Sequence, residues 1–373
     1  MEQIKGVNIG NWLVLEKWMA PDFFESTGAE DEIWLNRKAS HQALQDKMRI
    51  HRDTYVTEQD FQNLSELGMK LIRIPIPYFV FGDTFPYMGC IDYLDRAFDW
   101  AEKYDQKILI DLHTVPGSQN GYDNGGLTGV CKWHKSQEQV SFVLSVLDRL
   151  AKRYAVREGL YGIEVLNEPI SWSVWMTSPN RKQAKDRSEA DGSTHVPMAF
   201  LKQFYKDAYR VLRASLPDEK VIVFHDGFRL SKWKDFFVKE HMVNVILDTH
   251  IYLIAMDNLI KISSMTLYQA YLWWCQRQIK KASKFTPVII GEWCVANKLA
   301  IKKQKKAKNG LEMRNKINKK VAAMQLQTWE TAAGWFYWSY QLQKDIDQPF
   351  IREGLREWDF RICKKEGWLD QLQ

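Results

Sequence analysis

Two glutamates, Glu168 in "VLNEP" and Glu292 in "VIIGEW", stand 124 positions apart, each closing a short apolar, β-branched run. Two carboxyl groups brought face to face can cleave an acetal. One protonates the leaving oxygen, while the other attacks the anomeric carbon or activates water. That chemistry needs two different environments, one holding a carboxyl ionised and the other holding its partner protonated. Arg73, in "LIRIPI", is a cation able to keep one of them ionised, and the resulting negative charge then raises the other. Further polar residues end the other apolar runs: Asn8, Asp111 and His113, Asn167, His225 and Asp226, and His250 and Tyr252, with Trp338 in the last. Buried polar groups are costly unless they satisfy one another, so a shared network at one site is the economical account. Glu164 lies four residues before Glu168 in the same run and reads as a member of that network. Pro169 directly follows Glu168 and is expected to restrict it to extended backbone.

The runs that carry these residues read as eight strands: Ile4 to Gly10, Lys70 to Ile76, Lys107 to His113, Leu160 to Asn167, Lys220 to Asp226, Val243 to Tyr252, Thr286 to Trp293 and Gly334 to Tyr340. They are continuous apolar stretches, as expected of parallel strands covered on both sides. Helical patterns fill the gaps. One opens at Thr57, an N-cap, and stops at Gly68; another opens with a Ser136/Gln139 capping box. Further helices are expected over Ile91 to Tyr104, Val196 to Ser215, Leu230 to Glu240, Thr266 to Ser283 and Leu311 to Thr331. Eight βα units close into a (β/α)8 TIM barrel of the α/β class. An open doubly wound sheet is the runner-up, but it wants a Gly-rich phosphate turn that "NIGNWLVLE" lacks. Connections 11–56, 114–135 and 171–195 are long, and each follows a strand's C-terminal end, the face where barrels build their sites. No linker or repeat divides the chain, so residues 1–373 are expected to form one catalytic domain.

Composition closes off other classes. Charged residues make up 26 % and hydrophobic residues 45 % of the chain, as in an ordinary globular protein. No run of about 18 apolar residues occurs, so no membrane partner is expected. The five cysteines are scattered, without zinc spacing, and are expected to be reduced thiols of a cytoplasmic protein with no secretory leader in the sequence as it stands. The net charge of +6 is modest, much of it falls in the segment from Lys298 to Lys320, and no nucleic-acid module is visible. Most of the sixteen tryptophans are expected in the core, and a surplus near the loops is also what a protein that stacks sugar rings needs.

The motifs "GVNIGNWLVLEKWMAP", "IRIPI", "DLHTVPGSQNGYDNGG", "EVLNEP", "DTHIY", "GEW" and "GWFYWSY" occur in this order from residue 6 to about 340. The set resembles glycoside hydrolase family 5, in its exo-β-1,3-glucanase branch. The resemblance implies a retaining β-glycosidase acting on β-glucosides or β-glucan oligosaccharides, exo-acting, as a monomer and without cofactor or metal. It implies Glu168 as acid/base and Glu292 as nucleophile. Arg73 and Tyr252 would then stand beside Glu292, Asn167 on the sugar 2-hydroxyl, and His113 and His250 on hydroxyls or the acid. Trp338 would form the floor, Glu16 would bind hydroxyls at the non-reducing end, and Asp123 and Asn124 would help close that pocket.

Three positions depart from the branch. An aromatic pair that clamps the leaving-group side survives as Tyr122, while Ala255 stands where the second ring belongs. Gln341 replaces a lysine after the last strand. Trp172, Trp175 and Met176 could compensate on that side. The lysine-rich segment reads as a solvated loop on the site face, or as one that favours anionic substrates. Other readings are an endo-β-glucanase, a metal-dependent hydrolase built on His113, His225, Asp226 and His250, and a non-catalytic sugar-binding barrel.

Overall fold

A computed structural model of the chain describes residues 3–343 and 354–372. Eight strands, β1 (Ile4–Asn8), β2 (Leu71–Ile76), β3 (Lys107–Leu112), β4 (Leu160–Glu164), β5 (Val221–His225), β6 (Val245–His250), β7 (Val288–Trp293) and β8 (Gly334–Tyr337), form a closed barrel in sequence order. Each neighbouring pair is parallel, including β1 with β8. The regular ladder of β4 stops earlier than its apolar run. Single bonds still extend it, from Val165 N–H to Val223 O (3.0 Å) and from Asn167 N–H to Leu112 O (3.0 Å).

Side chains alternate across a strand, and this places the site. One set of alternate residues, Ile72, Ile74, Ile108, Ile110, Ile222 and Phe224, packs outward under the helices in the main core. The other set starts inside the barrel as an apolar plug of Leu71, Leu109, Val223, Ile246, Ile289 and Phe336. Two residues further along, that interior row turns polar on four of these strands: Arg73 follows Leu71, Asp111 follows Leu109, His225 follows Val223 and Asp248 follows Ile246. A dry plug below and polar side chains above therefore arise from the same period of two. Gly291 allows this crowding, since a Cβ there would meet Asp248 Oδ2 at 1.9 Å.

The Met198–Arg213 and Met265–Ala282 helices lie where the sequence puts them, within a few residues. The expected N-cap at Thr57 is present, and Asp60 closes it by accepting the Thr57 N–H at 2.8 Å. Two expectations change. The helix expected over Leu230 to Glu240 is a turn, Leu230–Lys232, and one short helix, Phe236–Lys239. Lys234 between them has φ +24, while Trp233 is tied by its indole to Asp226 O at 2.8 Å. The lysine-rich segment is not a loop before Gly310: Lys298–Lys306 is a helix, while Gly310–Trp329 is the helix expected over Leu311 to Thr331. Lysine, alanine and leucine are good helix formers, and Asn297 caps the first by accepting from Ala300 N–H at 2.8 Å.

Candidate active site

Arg73 is the hub at the barrel mouth, fully buried. Its Nε donates to Glu164 at 2.7 Å, and Nη1 donates to Asn8 at 2.8 Å and to Glu292 at 3.0 Å. Nη2 donates to Asn167 at 2.9 Å and stands 3.0 Å from Asp111. Burial opposes the guanidinium charge, but Asp111, Glu164 and Glu292 outweigh it and hold the group above its usual value. Glu164 is a network member, as its depth in the strand suggested.

Glu292 divides its oxygens between two donors, Oε1 accepting from Arg73 and Oε2 from the Tyr252 hydroxyl at 2.7 Å. Burial raises its pKa, and His250 and Arg73 work against that rise. Because both oxygens accept, the ionised form fits the geometry.

Glu168 accepts from Asn124 Nδ2 at 2.9 Å, and its Oε1 lies 2.8 Å from His250 Nδ1. His250 Nε2 reaches Asp248 at 3.2 Å, and Nδ1 also stands 3.4 Å from Glu292. Burial presses against the imidazolium, yet Glu292, Asp248 and Glu168 raise its pKa well above the ordinary histidine value. Burial would also raise Glu168, but the adjacent imidazolium lowers it to about 2. This reverses the pattern expected from sequence, in which Glu292 was to be the depressed carboxyl. The reason is local: the charged ring sits directly on Glu168. Both ring nitrogens face carboxylates, a geometry that fits one proton shared by the Glu168–His250 pair and resting on the imidazole.

The geometry of Glu168 also departs from the expectation. Its φ is +47, in the left-handed region, and not extended. Such a conformation costs a β-carbon residue roughly 1–2 kcal/mol and persists only where surroundings enforce it. Gln119 supplies that enforcement: its Nε2 donates to Asn167 O at 2.9 Å and His113 O at 2.8 Å, and its own carbonyl accepts from Ile170 N–H at 3.0 Å. Gln119 is buried and was not singled out from sequence. Asp248 was missed too, although "DTH" repeats the spacing of "DLH" at Asp111–His113, where the two side chains meet at 2.6 Å.

His113 stacks on Trp338 with ring centres 5.6 Å apart, and its Nε2 lies 3.5 Å from Asn167 Nδ2. Trp338 is buried against Met19 and Leu342. Glu16 accepts the Trp18 indole N–H at 2.7 Å. Its pKa is pushed well up by burial and then by Asp123, whose own carboxyl is raised by burial and by Glu168. Asn124, expected to close the sugar pocket, reaches Glu168 itself. Tyr122 is mostly buried, and its phenol is raised by burial and by Glu168.

Of the departures, Ala255 sits exposed within the Leu253–Ile260 helix. Gln341 is buried, and its carbonyl accepts from Tyr55 at 2.8 Å. Trp175 is buried, close over Gly121, while Trp172 and Met176 are exposed. Residues of the metal reading do not assemble as a set. Among the described residues, two groups could offer ligand atoms, Glu168 with His225 and His250, and Glu164 with Asp248 and His250. Neither includes His113 or Asp226, and His250 already spends both nitrogens on Glu168 and Asp248. His225 Nδ1 accepts Gly227 N–H at 2.9 Å, and Asp226 holds Phe228 N–H at 2.7 Å, so both shape the loop after β5.

Comparison with known proteins gives a consistent picture. Residues 36–343 match the family model Cellulase (glycosyl hydrolase family 5). The chain is 29 % identical to a glucan 1,3-beta-glucosidase of Blumeria graminis, over 99 % of this chain and 87 % of that protein. It is 33 % identical to a probable glucan 1,3-beta-glucosidase A of Emericella nidulans, over 78 % of this chain and 67 % of that protein. Among solved structures, rutinosidase from Aspergillus niger superposes with a TM-score of 0.74 at 21 % identity, covering 98 % of this chain and 97 % of that one.

Proposed function

The chain belongs to glycosyl hydrolase family 5, and on that premise we propose that it is a retaining, exo-acting β-glycosidase that removes glucosyl units from β-glucosides or short β-glucans. One observation carries the reading: a single imidazole nitrogen lies 2.8 Å from Glu168 and 3.4 Å from Glu292, while only Glu292 is gripped by Arg73 and Tyr252. Carboxyls that share one ring nitrogen sit on the short side of the ~6.5–9.5 Å gap that inverting enzymes need for a water.

The chemistry follows. A Glu292 oxygen attacks the anomeric carbon and forms a glycosyl ester, while the leaving oxygen takes the proton held by the Glu168–His250 pair. Water then gives a proton to Glu168 and attacks the same carbon, releasing Glu292. Arg73 and Tyr252 hold Glu292 ionised and aimed. Asn167, fixed by Arg73 and Gln119, presents its amide to the 2-hydroxyl. Trp338 and His113 provide a flat wall, and Glu16 with Asp123 closes the non-reducing end, which favours exo action. The names of the relatives support a β-1,3-glucan substrate. The lack of a ring at Ala255 supports tolerance of varied leaving groups.

Azide rescue tests the roles. Glu168→Ala is expected to lose ~10²–10⁴-fold in turnover, and with azide to yield the β-glycosyl azide. Glu292→Ala with azide should yield the α-azide. Swapped anomers would reverse the assignment. A wild-type product that first appears inverted would refute retention, and oligosaccharides ahead of glucose would indicate endo action. A monomer in a reducing, cytoplasmic compartment completes the proposal, supported by five buried, unpaired cysteines. Alkylation and mass analysis of the protein from its natural source should find five free thiols; a disulfide would count against it.

A further inference from the structure

Residues 261–320 hold fifteen of the 52 lysines and arginines but only two of the 46 acids, leaving 37 basic against 44 acidic residues elsewhere. The modest net charge conceals this separation. The segment builds one sector of the outer wall, in which the Gly310–Trp329 helix packs against both the Met265–Ala282 and Lys298–Lys306 helices. The solvent face of the Met265–Ala282 helix carries Trp273, Trp274, Arg277, Lys280 and Lys281, spaced for one side of a helix, with Lys284 just beyond. The two indoles are 58 % and 53 % exposed, high for a side chain usually kept for cores. The Arg277 guanidinium lies 4.7 Å from the Trp273 ring centre, so cation and ring are presented together. None of these four cations pairs with a described acid. Leu259, Ile260 and Ile262, on the approach to the same helix, are exposed aliphatics.

We propose that this wall docks on an anionic phospholipid surface, with the indoles at headgroup depth and the lysines on the lipid phosphates and carboxylates. Tryptophan favours the membrane–water boundary, and each basic residue near an anionic leaflet adds attraction. A neutral glucan would use the ring faces but has no use for four unpaired cations. A nucleic acid would use cations and rings but not exposed Leu259 and Ile262. The absence of any helix long and apolar enough to span a bilayer does not bear on surface docking, and the expectation of no membrane partner rested on that alone.

The test uses the full chain and two vesicle preparations, phosphatidylcholine alone and equal parts phosphatidylcholine and phosphatidylserine, read by co-sedimentation. Binding is expected only to the anionic vesicles and should weaken as salt rises. Lys280→Glu/Lys281→Glu and, separately, Trp273→Ala/Trp274→Ala should each weaken it at least ~tenfold, with turnover of a soluble aryl β-glucoside unchanged. If either double variant does not fold, quenching of wild-type tryptophan emission by brominated lipid replaces it, and no quenching would overturn the proposal. No sedimentation with either vesicle, equal binding to both, or binding retained in both variants would also overturn it. So would retention on an acidic polysaccharide or DNA column without vesicle binding, which would make the wall a polyanion site.

Discussion

Tyr252 donates to one oxygen of a carboxylate whose other oxygen is taken by Arg73, so removing the phenol hydroxyl leaves one charged acceptor unpaired. A hydrogen bond to a charged group is worth ~1.5–3 kcal/mol; Tyr252→Phe should therefore lower kcat by about 10- to 150-fold. Glu292 is already raised by burial, and losing a donor raises it further. Activity needs Glu292 ionised and falls as pH drops through its pKa, so the acid limb of kcat/KM should move to higher pH. His250 carries the opposite sign. Its pKa is raised, and the proton of the Glu168–His250 pair is lost only as pH rises through that value. In His250→Gln, Glu168 keeps a proton alone, and the alkaline limb should move to lower pH by more than one unit; an unmoved limb would show that the ring does not store the proton. At this scale the sequence showed residue types well, since carboxylates and their cation are chemically conspicuous. It did not show Gln119 or the positive φ of Glu168. A neutral amide carries no signal of burial, and the rule that proline extends its predecessor is a steric tendency that tertiary hydrogen bonds override.

The strands were legible as continuous apolar runs, because parallel strands are covered on both faces. Each apolar run reports its outward face to the helical core, and its interior row reports the change from plug to site. What failed was the lysine-rich segment, because a charge run without an apolar period looks like a loop, and only Leu299 and Ala300 of the Lys298–Lys306 helix are buried. Its start depends on Asn297, which caps Ala300 and also donates to Val295 O at 2.9 Å and Asn318 at 3.0 Å. Asn297→Ala should cost at least ~1–2 kcal/mol, read as a lower denaturation midpoint with KM for aryl glucosides little changed. Gly291→Ala should act on both readouts: the added methyl must displace the Asp248 carboxylate that orients His250, lowering the midpoint by overpacking worth ~1–3 kcal/mol and turnover with it.

For the whole molecule, barrel closure was legible from the count and spacing of strands, and so was the crowding of lysines from Lys298 to Lys320, while the exposed indoles of Trp273 and Trp274 were not, because a tryptophan carries no sign in the sequence of which helix face it takes. The closed barrel also gives Arg73 a second meaning. Its hydrogen-bonding and ionic partners come from β1, β3, β4, the turn after β4, and β7, and Asn8 passes the connection on to Gly291 O at 2.8 Å and Tyr337 O at 3.3 Å. Four of those five partners lie between residues 8 and 167, and only Glu292 comes from the second half of the chain. A folding intermediate that has formed only its first strands can already hold the cation, but it lacks Glu292, and its mouth stays open to water. Catalytic competence is therefore a late event, tied to the meeting of the two ends of the chain. During refolding, return of turnover should lag behind return of far-ultraviolet helical signal, and Arg73→Met should slow or prevent closure while leaving the early helical phase in place.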